Sequence, residues 1–155
     1  MKECELISVI TRFPYRTRFY LETYKNEKPL LDDEVYLNYE DVEVYRGLIS
    51  KDFIDENDFK SKPDQSAFSD EYIIKRHDKD PGFRIEWFGV SVNENIDEMK
   101  CSLKFPNRHI KGIAKGLMKS KHGPADFKKE KTHHNWYIFE KEEKNVIDSF
   151  EVLNV

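Results

Sequence analysis

Four histidines, His109, His122, His133 and His134, lie within 26 residues, with lysines between them. Imidazole titrates near neutral pH, and a lysine holds an anion. Together they supply a general acid, a general base and an oxyanion stabiliser for metal-independent phosphodiester cleavage. His122, His134 and Lys115 are the candidates for those roles. Imidazoles also suit zinc, but zinc sites show closer ligand pairs or cysteines, so no metal and no cofactor is expected. His133 and His134 are adjacent, so on a strand they face opposite ways and at most one joins any one site.

A second constellation is a basic row. Arg108, Lys111, Lys115 and Lys119 recur at three- and four-residue spacing. On a helix they share one face, where like charges repel slightly unless an anion rewards them. They form a candidate anion-binding set, for phosphates or for an acidic protein surface. The bland reading is that lysine is the chain's commonest cation, at 19 against 7 arginines.

A third constellation is acidic and aromatic. Asp32, Asp33, Glu34, Glu40, Asp41 and Glu43 alternate with Tyr36 and Tyr39. Carboxylates interleaved with tyrosines imitate a phosphate backbone with bases, or give anchors to a basic protein, because tyrosine buries much area at little entropic cost. These eight residues are the candidate partner-binding surface. From 32 to 58 there are ten acidic residues against two basic, and from 104 to 131 nine basic against two acidic. The net charge of −4 therefore conceals two segments of opposite sign, which either pair inside the fold or form separate surfaces.

Known catalytic signatures are missing. The chain has no GxGxxG, no GxxxxGK[ST] and no GxSxG. Glu98-Met99-Lys100 has the ExK form of restriction-type nucleases, but residues 93–97 before it are polar where that core strand is apolar, so it reads as coincidence.

The elements that must position these residues follow from periodicity. Asn107 to Lys121 reads as the best-marked helix. Asn107 caps it, Gly123-Pro124 stops it, and Ile110, Ile113, Ala114 and Leu117 fall opposite the basic row at 100° per residue. Leu6–Thr11 and Thr17–Tyr24 read as strands, with a turn at Asn26–Pro29. Glu34–Tyr45 reads as the longest strand, bulged near Glu40-Asp41. Ser50–Asp58 suggests a short helix, and Ser66–His77 suits helix and strand alike. Asp80-Pro81-Gly82 reads as a turn. Phe83–Val92 and His133–Phe139 alternate as strands, and Glu142–Phe150 has helical spacing.

The sum is one α+β domain, a mostly antiparallel sheet of about five to six strands with two to four helices packed on one face. Aromatics at 14% and charges at 36% give it a real core under a polar surface. Cys4 and Cys101 are expected as buried reduced thiols. No stretch approaches the length a membrane span needs, so no membrane association is expected and a cytoplasmic setting, in the producing cell or an infected host, is the default. The expected function is non-enzymatic: an inhibitor or immunity-type protein that blocks a basic protein partner through the acidic, tyrosine-rich surface. The alternative is a nucleic-acid binder or small ribonuclease using the 107–121 helix and its histidines.

Overall fold

A computed structural model describes residues 1–27, 32–65 and 68–155. Among these, seven strands are β1 (Val35–Tyr36), β2 (Val42–Leu48), β3 (Val90–Asn93), β4 (Gly112–Met118), β5 (Ala125–Asp126), β6 (His133–Trp136) and β7 (Glu151–Val152). They form one sheet in the order β1-β5-β6-β3-β2-β4-β7, and every pairing is antiparallel. Five helices accompany it: α1 (Glu3–Val9), α2 (Tyr15–Thr23), α3 (Asp70–Lys79), α4 (Ile96–Leu103) and α5 (Glu143–Ser149). The fold is thus α+β, and none of its helices is long and apolar enough to cross a membrane among the described residues.

Alternation along β6 and the residues after it divides the core in two. Trp136 and Ile138 enter one cluster, with Val44, Met118, Val146 and Phe150. Tyr137 and Phe139 enter the other, with Phe13, Leu21, Val35 and Ile73. Successive side chains of an extended chain point to opposite faces, so the two clusters lie on opposite sides of the sheet. α1, α2 and α3 cover one side and α5 the other. Helices therefore pack on both faces, where the sequence suggested one.

The largest departure is at 107–121, which is not a helix. Its core is β4, paired along its length with β2 from Val42↔Met118 to Leu48↔Gly112. A spacing of four is a multiple of two, so Lys111, Lys115 and Lys119 share a face on a strand as they would on a helix. The row could not discriminate. The glycines could: Gly112 and Gly116 would each cost a helix about 1 kcal/mol relative to alanine. In the sheet they are required by close approach. A Cβ on Gly116 would stand 2.6 Å from the Phe150 ring, and one on Gly112 would stand 2.3 Å from the Ser50 carbonyl oxygen. Asn107 does accept from backbone N–H groups, but from His109 and Ile110 in a turn, the same chemistry without a helix to follow.

The two N-terminal strand readings are also corrected. Residues 3–9 and 15–23 are helices, despite β-branched Ile7, Val9 and Ile10. Phe13, Thr17, Tyr20 and Leu21 are buried at helical spacing, and Pro14 stands at the helix start, where a missing N–H costs nothing. Glu34–Tyr45 is not one bulged strand. It breaks into β1 and β2, which sit far apart in strand order. Residues 50–58 form turns instead of a helix, because the buried Asp58 carboxylate accepts from Ile49 N and Asp55 N and holds the loop open. Residues 85–88 form a 3-10 turn, so of the Phe83–Val92 segment only Val90–Val92 is strand, continued to Asn93 in β3. Within the ambiguous 66–77 segment the helix wins: Ser69 Oγ accepts from Tyr72 N and caps α3. Ser66 there, and Pro29 of the expected turn at 26–29, lie outside the described residues. Cys4 and Cys101 are both free thiols, as expected, but exposed instead of buried.

Candidate functional site

β1 is an edge strand, and the acidic segment surrounds it. Asp32 builds its entry: Oδ1 accepts from Glu34 N at 2.8 Å and the carbonyl accepts from Val35 N at 3.1 Å. Phe127 N then donates to Glu34 O at 2.7 Å, which starts the pairing with β5. Tyr36 projects from this edge, 47% exposed, with its ring edge-on to Phe127. Tyr39 packs on the same Phe127, and its hydroxyl donates to Gly123 O at 2.6 Å. Burial pushes that phenol far above its ordinary pKa, so Tyr39 is a neutral anchor of the fold and Tyr36 is the tyrosine presented outward. A groove of about 400 Å³ runs beside β1, lined by Met1, Lys2, Glu5, Asp33, Tyr36 and Leu37.

The carboxylates divide by environment. Asp32, Asp33, Glu40, Asp41 and Glu43 are exposed and Glu34 is half-buried. Glu43 meets a cation, Lys115 Nζ, at 3.6 Å across the β2–β4 pair. Among the described residues the other five make no ion pair. Lys115 also faces Glu151 across the β4–β7 register. Among the described residues the one ion pair between the acidic segment and the basic row is therefore Glu43–Lys115.

The basic row is stretched by the strand. Four residues span ~13 Å of extended chain, against ~6 Å of helix. Lys111, Lys115 and Lys119 are thus too widely separated to converge on one phosphate. Arg108 stands in the exposed loop before β4.

His122, His134 and Lys115 are not brought together; each has a separate partner. His134 is buried on β6, with Nδ1 2.7 Å from Asp126 O and Nε2 2.7 Å from Glu94 Oε2. Both neighbours are acceptors, so the ring is fully bonded when both nitrogens carry protons. His122 is buried against Trp136, and its Nδ1 lies 3.6 Å from Glu142 Oε2 without a hydrogen bond. Burial lowers its pKa, and Glu142 opposes that in part. His133 points the other way from His134, as its register opposite Asn93 requires, and meets Ser91 Oγ at 2.6 Å. That Ser–His contact resembles a nucleophile and base, but both residues are exposed and no described group orients the imidazole, so it lacks the third member of such a site.

Sequence reasoning missed Arg46 altogether. It is one of two cations in an acidic run, and its partners, Asp58 O and Ser91 O, are 12 and 45 residues away. Comparison of the chain with family models, with curated proteins and with solved structures finds no match.

Proposed function

We propose that this protein binds a partner with a basic surface through the acidic edge formed around β1, in the manner of an inhibitor or immunity-type protein. The observation that supports this reading is the exposure of the Asp33, Glu40 and Asp41 carboxylates, none in an ion pair among the described residues, on the segment that also presents the exposed Tyr36 ring. Opposite potentials steer encounter and fix register, and an exposed tyrosine in a groove supplies the apolar anchor that charge alone lacks. Asp32 is set apart from this group, because its carboxylate holds the turn into β1.

The test uses the wild type and an Asp33→Lys/Glu40→Lys/Asp41→Lys variant as parallel baits in a lysate of the source cell. The wild type should retain a basic protein that rising salt releases. The variant, with an unchanged circular-dichroism spectrum, should retain none. Equal recovery on both baits would sink the reading.

A further inference from the structure

A cleft of about 580 Å³ opens on the sheet side that carries Ser91 and Asn135. It lies between the 85–88 turn, the loop before β4 and the 58–65 segment. Its charged lining is Arg46, Lys60, Lys62 and Arg108 against Asp58 and Glu86. Cations outnumber carboxylates by four to two there, although the chain as a whole is acidic.

Arg46 is the anchor. Its Nε donates to Asp58 O at 2.7 Å and its Nη1 to Ser91 O at 2.9 Å. Both acceptors are neutral carbonyls, and no carboxylate oxygen lies within ion-pair distance among the described residues. The Asp58 carboxylate is near enough to act at range, but its oxygens are spent on Ile49 N and Asp55 N. Burial pulls the guanidinium pKa down to about 10, so it stays charged at neutral pH. Arg46 itself is half-buried. Here the two N–H groups on Nη2 make no hydrogen bond to the described residues, on a guanidinium already fixed in orientation. Arg108 and His109 stand exposed at the mouth.

A second unfilled group faces the same cleft. Glu86 Oε2 is closed off from solvent, while Oε1 makes no hydrogen bond to the described residues and sits 3.8 Å from Lys128 Nζ. A bare oxyanion satisfies the arginines and repels Glu86. A ligand with both an oxyanion and a hydroxyl donor satisfies both.

We propose that this cleft binds a small phosphate monoester bearing hydroxyl groups, a sugar phosphate in chemical class. The phosphate takes the free edge of Arg46 together with Arg108, and a ligand hydroxyl donates to Glu86 Oε1. The fork geometry of arginine matches phosphate oxygens, and the volume lies in the range of small-molecule sites. This site is separate from the β1 edge, so either proposal stands or falls alone.

The experiment is an amide-resolved NMR titration of the full chain with ribose 5-phosphate, inorganic phosphate, ribose and a short oligoribonucleotide. Ribose 5-phosphate should shift the amides of Ser91, Arg108 and Asn135, with phosphate weaker and ribose silent. Arg108→Ala, a change at an exposed position, should weaken ribose 5-phosphate about tenfold. Glu86→Gln should narrow the preference for ribose 5-phosphate over phosphate. Arg46→Gln should abolish binding, and if it fails to fold the other two variants carry the test. No shift at about 10 mM ligand overturns the proposal, as does equal affinity for phosphate and ribose 5-phosphate, insensitivity to Arg108→Ala, or tighter binding of the oligoribonucleotide.

Discussion

Lys115 Nζ lies 3.6 Å from Glu43 Oε2, two residues off the direct Tyr45↔Lys115 and Glu43↔Leu117 registers. This diagonal pair ties the acidic segment to the basic row. Both side chains are partly exposed, at 35% and 56%, so water and salt screen them. Exposed pairs of this kind contribute about 0–1 kcal/mol. Lys115→Ala and Glu43→Ala should each cost less than about 1 kcal/mol in urea unfolding, and the double variant should cost about the same as either single one. A larger loss would mean that the pair holds β2 on β4 by more than its geometry provides.

The assignment of 112–118 as strand makes a prediction of opposite sign to the helical reading. In an exposed helix, Gly116→Ala stabilises by up to about 1 kcal/mol. On β4 the added methyl meets the Phe150 ring at 2.6 Å, and Phe150 is itself buried, so it cannot swing clear. Overpacking of this kind costs about 1–3 kcal/mol. Guanidinium unfolding of Gly116→Ala should show a lower midpoint. A truncation at Phe150, such as Phe150→Leu in the Gly116→Ala background, should recover part of the loss.

What the sequence made legible depended on whether local pattern and tertiary role agreed. They agree in α5, where Val146 and Phe150 recur at helical spacing and both enter the core. They agree in the alternation at His133–Phe139, which divides Trp136 and Ile138 from Tyr137 and Phe139, although the paired strand itself ends at Trp136. They disagree at 107–121, where four-residue spacing fits both periods and packing of Phe150 and the Ser50–Lys51 backbone decides. In α1, Ile7 is exposed while Leu6 and Val9 are buried, so packing overrides β-branched propensity. The outwardness of Asp33, Glu40 and Asp41 was not legible, because it depends on which cations fold back against them. The Arg46 cleft was hidden for a related reason: its walls come from five separate stretches of chain.

His134 has a structural role that substitution exposes. It is 1% exposed and bridges the Asp126 carbonyl and the Glu94 carboxylate. His134→Ala leaves a buried carbonyl without its donor and a void beside Phe127, which together cost about 2–4 kcal/mol. Thermal unfolding should show a correspondingly lower Tm. A residue used only for chemistry at the surface would lose function with Tm unchanged, and that result would return His134 to the catalytic set.

Glu143 gives the chain a pH dependence of known sign. Burial is the main cause that raises its carboxyl to about 7, with Asp64 and Glu140 adding and Lys60 opposing. Its Oε2 is shut off from water without a hydrogen-bond partner. The folded state therefore holds the proton more tightly than the unfolded chain, whose glutamates titrate near 4.3. Linkage then makes stability greatest below the unfolded value and lowers it as pH rises through the folded one. Between pH ~4.5 and ~7 this group should remove about 2 kcal/mol, to be read from urea midpoints across that window. Paired carboxylates such as Asp80, held low by Arg76 and Gly82 N, act in the opposite sense, but they lose their contribution below that window. Glu143→Gln keeps the shape and removes the titration. Its stability should be flatter than wild type from pH ~4.5 to ~7 and higher at pH 7. Parallel profiles for the two proteins would show that Glu143 ionises in the folded state as freely as in the unfolded one.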